Sequence, residues 1–147
     1  MRKAKPTLTH NGNADETEAT FYEAMLLGDI DKLMACWADE DDIVCVHPGG
    51  PRLVGALAIR GGFDAMFSHG TIRAHIEHVR RVQTLGVNIH SVLERVEVLT
   101  ANGPAQAYVI ATNVYLKTAQ GWRLVAHHAS PGTAQEVPQS DNPTVLH

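Results

Sequence analysis

The chain has 147 residues, 44% of them hydrophobic and 19% charged, with a formal net charge of −4. That length holds one domain with a buried core. The composition excludes a disordered or fibrous chain, and the acidic balance argues against nucleic acid as a partner. Nine histidines stand beside only three Phe, three Tyr and two Trp, so the imidazoles are the first place to look for chemistry near neutral pH. Cys36 and Cys45 form neither a CxxC pair nor a disulfide scaffold. No apolar run approaches the roughly 18 residues of a membrane span. No apolar stretch follows the basic Met1–Pro6, so a cytoplasmic, reduced setting without a secretory leader or membrane contact is expected.

Residues 1–14 are polar and read as an arm. Asp15-Glu16-Thr17-Glu18 has the pattern of a capping box, and Phe21, Tyr22, Met25 and Leu26 form the apolar stripe of the helix it opens. Gly28 is a left-handed stop. Asp29 caps a second, shorter helix carrying Ile30, Leu33, Met34 and Trp37, and the acidic run Asp39–Asp42 is a loop. Ile43–His47 is a β-branched strand ended by Pro48-Gly49-Gly50-Pro51. A third helix carries Leu57, Ile59, Phe63, Met66 and Phe67, although Gly61 and Gly62 interrupt it. Everything after Gly70 alternates as strand: 72–85, 87–100, 105–118 and 122–130, the last two joined by an Ala119-Gln120-Gly121 hairpin. Residues 132–147 are a Pro-containing polar tail.

This order predicts an α+β fold, three N-terminal helices packed on a curved, mostly antiparallel sheet. The strand 105–118 is apolar on both sides: Ile110, Val114 and Leu116 face one way, Val109, Ala111 and Tyr115 the other. Such a sheet predicts a homodimer through the face left bare by the helices.

Five segments then carry a resemblance. They are Gly28-Asp29-Ile30-Asp31, Trp37-Ala38-Asp39, Val46-His47-Pro48, Gly55-Ala56 with Ile59, and Gly121–Val125 leading into His127-His128-Ala129-Ser130. In this order the chain resembles the nuclear transport factor 2-like superfamily, in its SnoaL-like and ketosteroid-isomerase-like branch, over residues 15–131. The resemblance implies a cone-shaped α+β barrel enclosing a pocket for a small, mostly apolar ligand, and no cofactor. The fold hosts both enzymes and non-catalytic association domains, so it leaves activity open.

In the isomerases of that superfamily a carboxylate before a proline takes the proton; here His47-Pro48 holds the position, and imidazole can serve as base near neutral pH. Where those enzymes present a protonated carboxyl to the oxyanion this chain has Asn113, an amide that donates a hydrogen bond but no proton. Their helix tyrosine aligns with Phe21, one residue from Tyr22. Strand alternation from Trp122 places His128 and Ser130 in the pocket and His127 outside. Paired histidines of related dehydratases would then correspond to His47 and His128. Catalytic candidates are thus His47, Asn113 and His128. Candidate lining residues are Tyr22, Trp37, Phe63, Met66, Glu94, Tyr115 and Ser130; Glu94, on a strand face with Val92 and Val96, reads either as a buried acid with a raised pKa or as an acid at the exposed strand end or paired with an Arg such as Arg80. No metal site is expected, because the histidines of His75-x-x-His78 and of His127-His128 diverge on a strand. His90 reads as sheet surface. Two functions follow: a cofactor-free isomerase or dehydratase acting on an apolar or polyketide-like substrate with His47 as base, or a non-catalytic dimeric ligand-binding or association domain.

Overall fold

A computed structural model describes residues 12–138. Three helices, α1 (Asp15–Leu27), α2 (Ile30–Met34) and α3 (Ala56–Phe67), accompany six strands. The strands are β1 (Val44–Val46), β2 (Arg52–Val54), β3 (Ala74–Gln83), β4 (Val87–Thr100), β5 (Gly103–Thr118) and β6 (Gly121–Gly132). They form one sheet in the order β2-β1-β6-β5-β4-β3. Every pairing is antiparallel except β1 with β6. The α+β expectation holds. The sequence reading missed β2, whose three residues beside Pro51 are too few to show a period. The arm, up to residue 11, and the tail from residue 139 lie outside the described residues. The last strand runs to Gly132, two residues beyond the stretch expected from alternation.

Helix α1 buries Thr17, Glu18, Phe21, Tyr22, Ala24 and Met25, the three-to-four spacing of one helical face. Gly28 ends it at φ 67°, with Gly28 N donating to Met25 O and Asp29 N to Ala24 O. This is the pair of bonds that a left-handed stop residue permits. Asp29 caps α2, its Oδ1 accepting from Lys32 N at 3.1 Å. The expected capping box at Asp15 does not form. Ala14 is the N-cap and makes no side-chain cap itself, while Asn13 Oδ1 accepts from Asp15 N at 3.0 Å; both acids are engaged elsewhere, Asp15 with Arg81 at 2.9 Å and Glu18 inside the core. The task passes to β4. Buried Asn88 accepts from Ala14 N at 2.9 Å through Oδ1, and its amide nitrogen donates to Val87 O at 3.0 Å. Thr17 Oγ1 donates to Trp122 O at 2.9 Å, so the first turn of α1 is tied to two strands far away in sequence.

The apolar core fills the layer between helices and sheet, and Phe21 is its centre. Its ring meets Tyr22, Trp37, Phe63 and His127 edge-on, with centroids 5.3–6.2 Å apart. Two register shifts decide which side chains reach that layer. In β6, Val114 pairs with Ala126 but Tyr115 with Leu124, leaving Val125 as an extra residue. In β3 the register shifts between Ile76 and His78.

Asn88→Ala should unfasten α1 from β4 and cost about 1–3 kcal/mol, because a buried N–H loses its acceptor. Thermal denaturation beside Asp15→Ala, which breaks the exposed ion pair with Arg81 and a 3.9 Å contact with His90 Nε2, checks this. A drop no larger than that of Asp15→Ala would remove Asn88 as the anchor.

Candidate functional site

His47 follows β1 by one residue and shares its inward parity with Cys45, which lies opposite His127 on β6. The parallel β1–β6 pairing therefore brings together two histidines eighty residues apart. Their ring centroids are 6.4 Å apart, and the His47 ring stands perpendicular to Phe63 at 4.7 Å. The glycines that interrupt α3 have a role here. A Cβ on Gly62 would meet Leu53 Cδ1 at 2.6 Å and His47 Nε2 at 3.5 Å, so glycine lets α3 approach the His47 ring. His47 is half-buried, and loss of hydration pulls its pKa below the usual imidazole value. It is the free base at neutral pH. Cys45 Sγ lies 3.8 Å from His47 Nε2, but burial pushes the thiol up to about 12. It is a packing group rather than a thiolate nucleophile.

Behind the two imidazoles lies a continuous buried polar network. Tyr22 OH donates to Glu94 Oε2 at 2.6 Å and accepts from Asn113 Nδ2 at 3.2 Å. Asn113 Oδ1 is 2.5 Å from His127 Nδ1. Glu18 Oε2 accepts from Tyr115 OH at 2.6 Å, lies 2.8 Å from His90 Nδ1, and receives a long 3.5 Å contact from Asn113 Nδ2. Each of these seven side chains is buried. Desolvation raises Glu94 to about 7, an effect that Glu18 reinforces and the Tyr22 hydrogen bond opposes. The same burial, with the neighbouring carboxylates, holds Tyr22 and Tyr115 firmly as neutral phenols. His127 is pushed down to about 3, first by burial and then by His47 and His128.

The structure corrects several expectations. His128 and Ser130 are exposed, and His127 and Ala129 are buried. The extra residue at Val125 reverses the alternation set by Trp122 and Leu124, so the imidazole that joins His47 is His127. His90, expected at the surface, is fully buried against Glu18. The shift in β3 places His75 and His78 opposite Arg95 and Leu93, on one face of the sheet instead of two. Even so, no group of three metal-type ligands converges among the described residues. His75 is occupied by Glu97 at 2.7 Å.

Tyr22, Glu94, Asn113 and Tyr115 are in the network. Trp37 and Phe63 are buried in the core, and Met66 packs against it half-buried. Trp37 Nε1 has no hydrogen-bond partner among the described residues. Glu18, His90 and His127 are the members of the buried network absent from the expected set. Glu18 stands three and four positions before Phe21 and Tyr22, on the same stripe. His90 alternates with Val92 and Glu94. Both signals were present, whereas the bulge that turns His127 inward leaves no mark in the pattern. A separate cavity of about 280 Å³ lies on the opposite face of the sheet, lined by His78, Arg80, Leu93 and Ile110 and covered by residues 133–136.

The two shifted groups give opposite pH signatures. Glu94 titrates near 7 when folded and near 4.5 when free, so its contribution to stability is present below pH 4.5 and is lost as pH rises through 7. His127 titrates near 3 when folded against 6.5 when free, so its contribution is present above pH 6.5 and is lost as pH falls. Glu94→Gln should therefore stabilise the protein at pH 8 relative to pH 4 by on the order of 3 kcal/mol. His127→Gln should flatten the acid limb. Urea unfolding across pH checks both, and parallel wild-type and variant curves would contradict the burial of these groups.

Comparison with known proteins agrees with this architecture. The SnoaL-like domain matches residues 15–134. No curated protein matches the chain. Among solved structures, a candidate calcium/calmodulin-dependent protein kinase type II association domain from Thiobacillus denitrificans is 32% identical. That match covers 88% of this chain and 100% of the other, with a TM-score of 0.76. A candidate dehydratase of the nuclear transport factor 2-like family from Streptomyces avermitilis is 27% identical over 82% of this chain and 95% of its own, with a TM-score of 0.73. The calcium/calmodulin-dependent protein kinase II hub of S. rosetta, 20% identical over 89% of this chain and 100% of its own with a TM-score of 0.66, shares the fold.

Proposed function

The chain belongs to the SnoaL-like domain family, and from that premise we propose that a small molecule binds at the half-buried edge of the core where His47 lies, a site for cofactor-free proton transfer with His47 as base. The observation that carries this reading is the His47 ring itself: half-buried, held neutral by its surroundings, edge-on to Phe63 and facing a second neutral imidazole. A base of that kind suits an apolar substrate such as a cyclic or polyketide-like ketone. The free nitrogen of His47 takes a proton from a carbon next to the carbonyl, and the C–H electron pair moves into the ring system as an enolate. The imidazolium then returns the proton to another carbon, giving isomerisation, or to a departing hydroxyl, giving an alkene and water. The resemblance to a candidate dehydratase supports the second course. Asn113 does not fit the direct oxyanion role expected for it, since its N–H groups are directed at Tyr22 and Glu18; it positions His127 instead.

On any substrate found by screening hydroxylated cyclic ketones for loss of water or shift of a double bond, His47→Gln should lower kcat/KM by about 100-fold or more. The wild-type rate should rise with pH through a value below 6.5, the base being active once deprotonated. Turnover indifferent to His47→Gln would sink this mechanism.

A second reading, self-association, is favoured by the outer face of the sheet and by the likeness to an association domain. Val82, Ile89 and Val114 lie in one cross-strand row there, and Val82 and Ile89 are exposed. We propose a homodimer through this face. Sedimentation should show a dimer that Ile89→Lys converts to monomer without loss of fold. A wild-type monomer at tens of micromolar would exclude it.

A further inference from the structure

The tautomer of His127 follows from counting donors around Asn113. One end of the Asn113 amide faces Tyr22 O at 3.2 Å and Glu18 Oε2 at 3.5 Å. The Tyr22 proton is already given to Glu94 at 2.6 Å, and Glu18 Oε2 is the acceptor for Tyr115. Two acceptors therefore face that end, and only the NH2 satisfies them. The carbonyl end is forced toward His127 Nδ1, 2.5 Å away. A carbonyl accepts, so Nδ1 must carry the hydrogen. In a neutral ring that leaves Nε2 bare. His127 Nε2 has no hydrogen-bond partner among the described residues, while its ring is packed between Phe21 and His47.

The charge of the surroundings points the same way. The carboxyl and basic groups buried on α1 and β4 are Glu18, Glu94 and His90, and those buried or half-buried on or next to β1 and β6 are His47, His127 and Arg123; His90 lies against Glu18 at 2.8 Å and Arg123 donates to Trp122 O at 2.8 Å. Four other arginines are spent on outer acids: Arg73 on Glu97, Arg80 on Glu136, Arg81 on Asp15 and Arg95 on Glu77. An anion beside His127 would find the buried basic groups already engaged, His90 by Glu18 and Arg123 by Trp122 O, and two buried carboxyl groups behind the imidazoles.

We infer that Asn113 locks His127 as its Nδ1–H tautomer, so that Nε2 accepts a hydrogen bond from a hydroxyl of an uncharged ring ligand, and that the site discriminates against carboxylates. This names the ligand class for the site proposed above and rests on that reading. It also separates two jobs: His47 exchanges the proton, and His127 holds the hydroxyl.

The test is made on the resting, 15N-labelled protein at pH 7, by long-range proton–nitrogen spectra of the imidazoles with phenol and benzoate as probes. His127 should show a protonated Nδ1 and a bare Nε2. Phenol should move the His127 Nε2 and His47 signals, and benzoate should bind at least about tenfold more weakly. Asn113→Asp places a carboxylate on Nδ1–H and favours the imidazolium, whose Nε2–H is a donor. The preference should then shift toward benzoate. Tyr22→Phe, which keeps the ring and removes one of the two acceptors, should loosen the tautomer into a mixture if the aspartate variant does not fold. An Nε2–H tautomer in the wild type, equal binding of the two probes, or phenol leaving His127 unmoved would each overturn the inference. Failure of His47→Gln to affect turnover would instead remove the proton-transfer reading, and the tautomer and probe preference would stand as those of a binding site.

Discussion

One inserted residue governs the interior. Up to Leu124, strand β6 presents Trp122 and Leu124 to the core, as an unbroken strand starting at Gly121 would. The bulge at Val125 rotates the next pair of residues by one place, sending His127 and Ala129 inward and His128 and Ser130 outward. A strand has a period of two, so a single extra residue exchanges its faces. The parallel pairing with β1 then sets Cys45 against His127 and places His47 just beyond. Without the bulge the Asn113 carbonyl would lose its donor, and the imidazole pair would not exist.

The network behind that pair is unusual in its balance. It holds two carboxyl groups, two phenols, one amide and two imidazoles, with no Lys or Arg. Glu18 is buried with no Lys or Arg beside it and is met by Tyr115 OH, His90 Nδ1 and Asn113 Nδ2. Such an arrangement tolerates burial only when nearly every partner is in place. This explains why α1 is fastened so thoroughly to the sheet, by Asn88 at its start, by Thr17 to Trp122, and by Glu18 and Tyr22 in its middle. Those same bonds fix the orientation of Asn113. The polar core is therefore structural and directional together: it holds helix to sheet, and it determines which nitrogen of His127 is left bare.

The two proposed functions use different faces of one sheet. A ligand site on the inner face and self-association through the outer face do not compete for residues, because alternation along β3, β4 and β5 assigns their side chains to one or the other. The bulge of β6 matters here also. It moves His128 and Ser130 to the outer face, where they belong with any partner surface.

The α+β order, the three helices and the long strands were legible from periodicity, caps and turn residues alone, because these signals depend on neighbours a few positions apart. The shared face of Asn113 and Tyr115 on β5 follows from the same alternation. The failed capping box, the partners of His90 and Glu18, and the exchange of His127 for His128 were decided elsewhere. Asp15 and Glu18 left their local roles because Arg81 and the Tyr115–His90 pair offered partners more than sixty residues away. The Val125 bulge arises in the pairing of β6 with β5, and a pairing register is not a property of either strand's sequence. The sequence by itself determined which side chains could do acid–base work; only the tertiary structure, through one register shift and the donors it brought into line, decided which two imidazoles meet and where their protons sit.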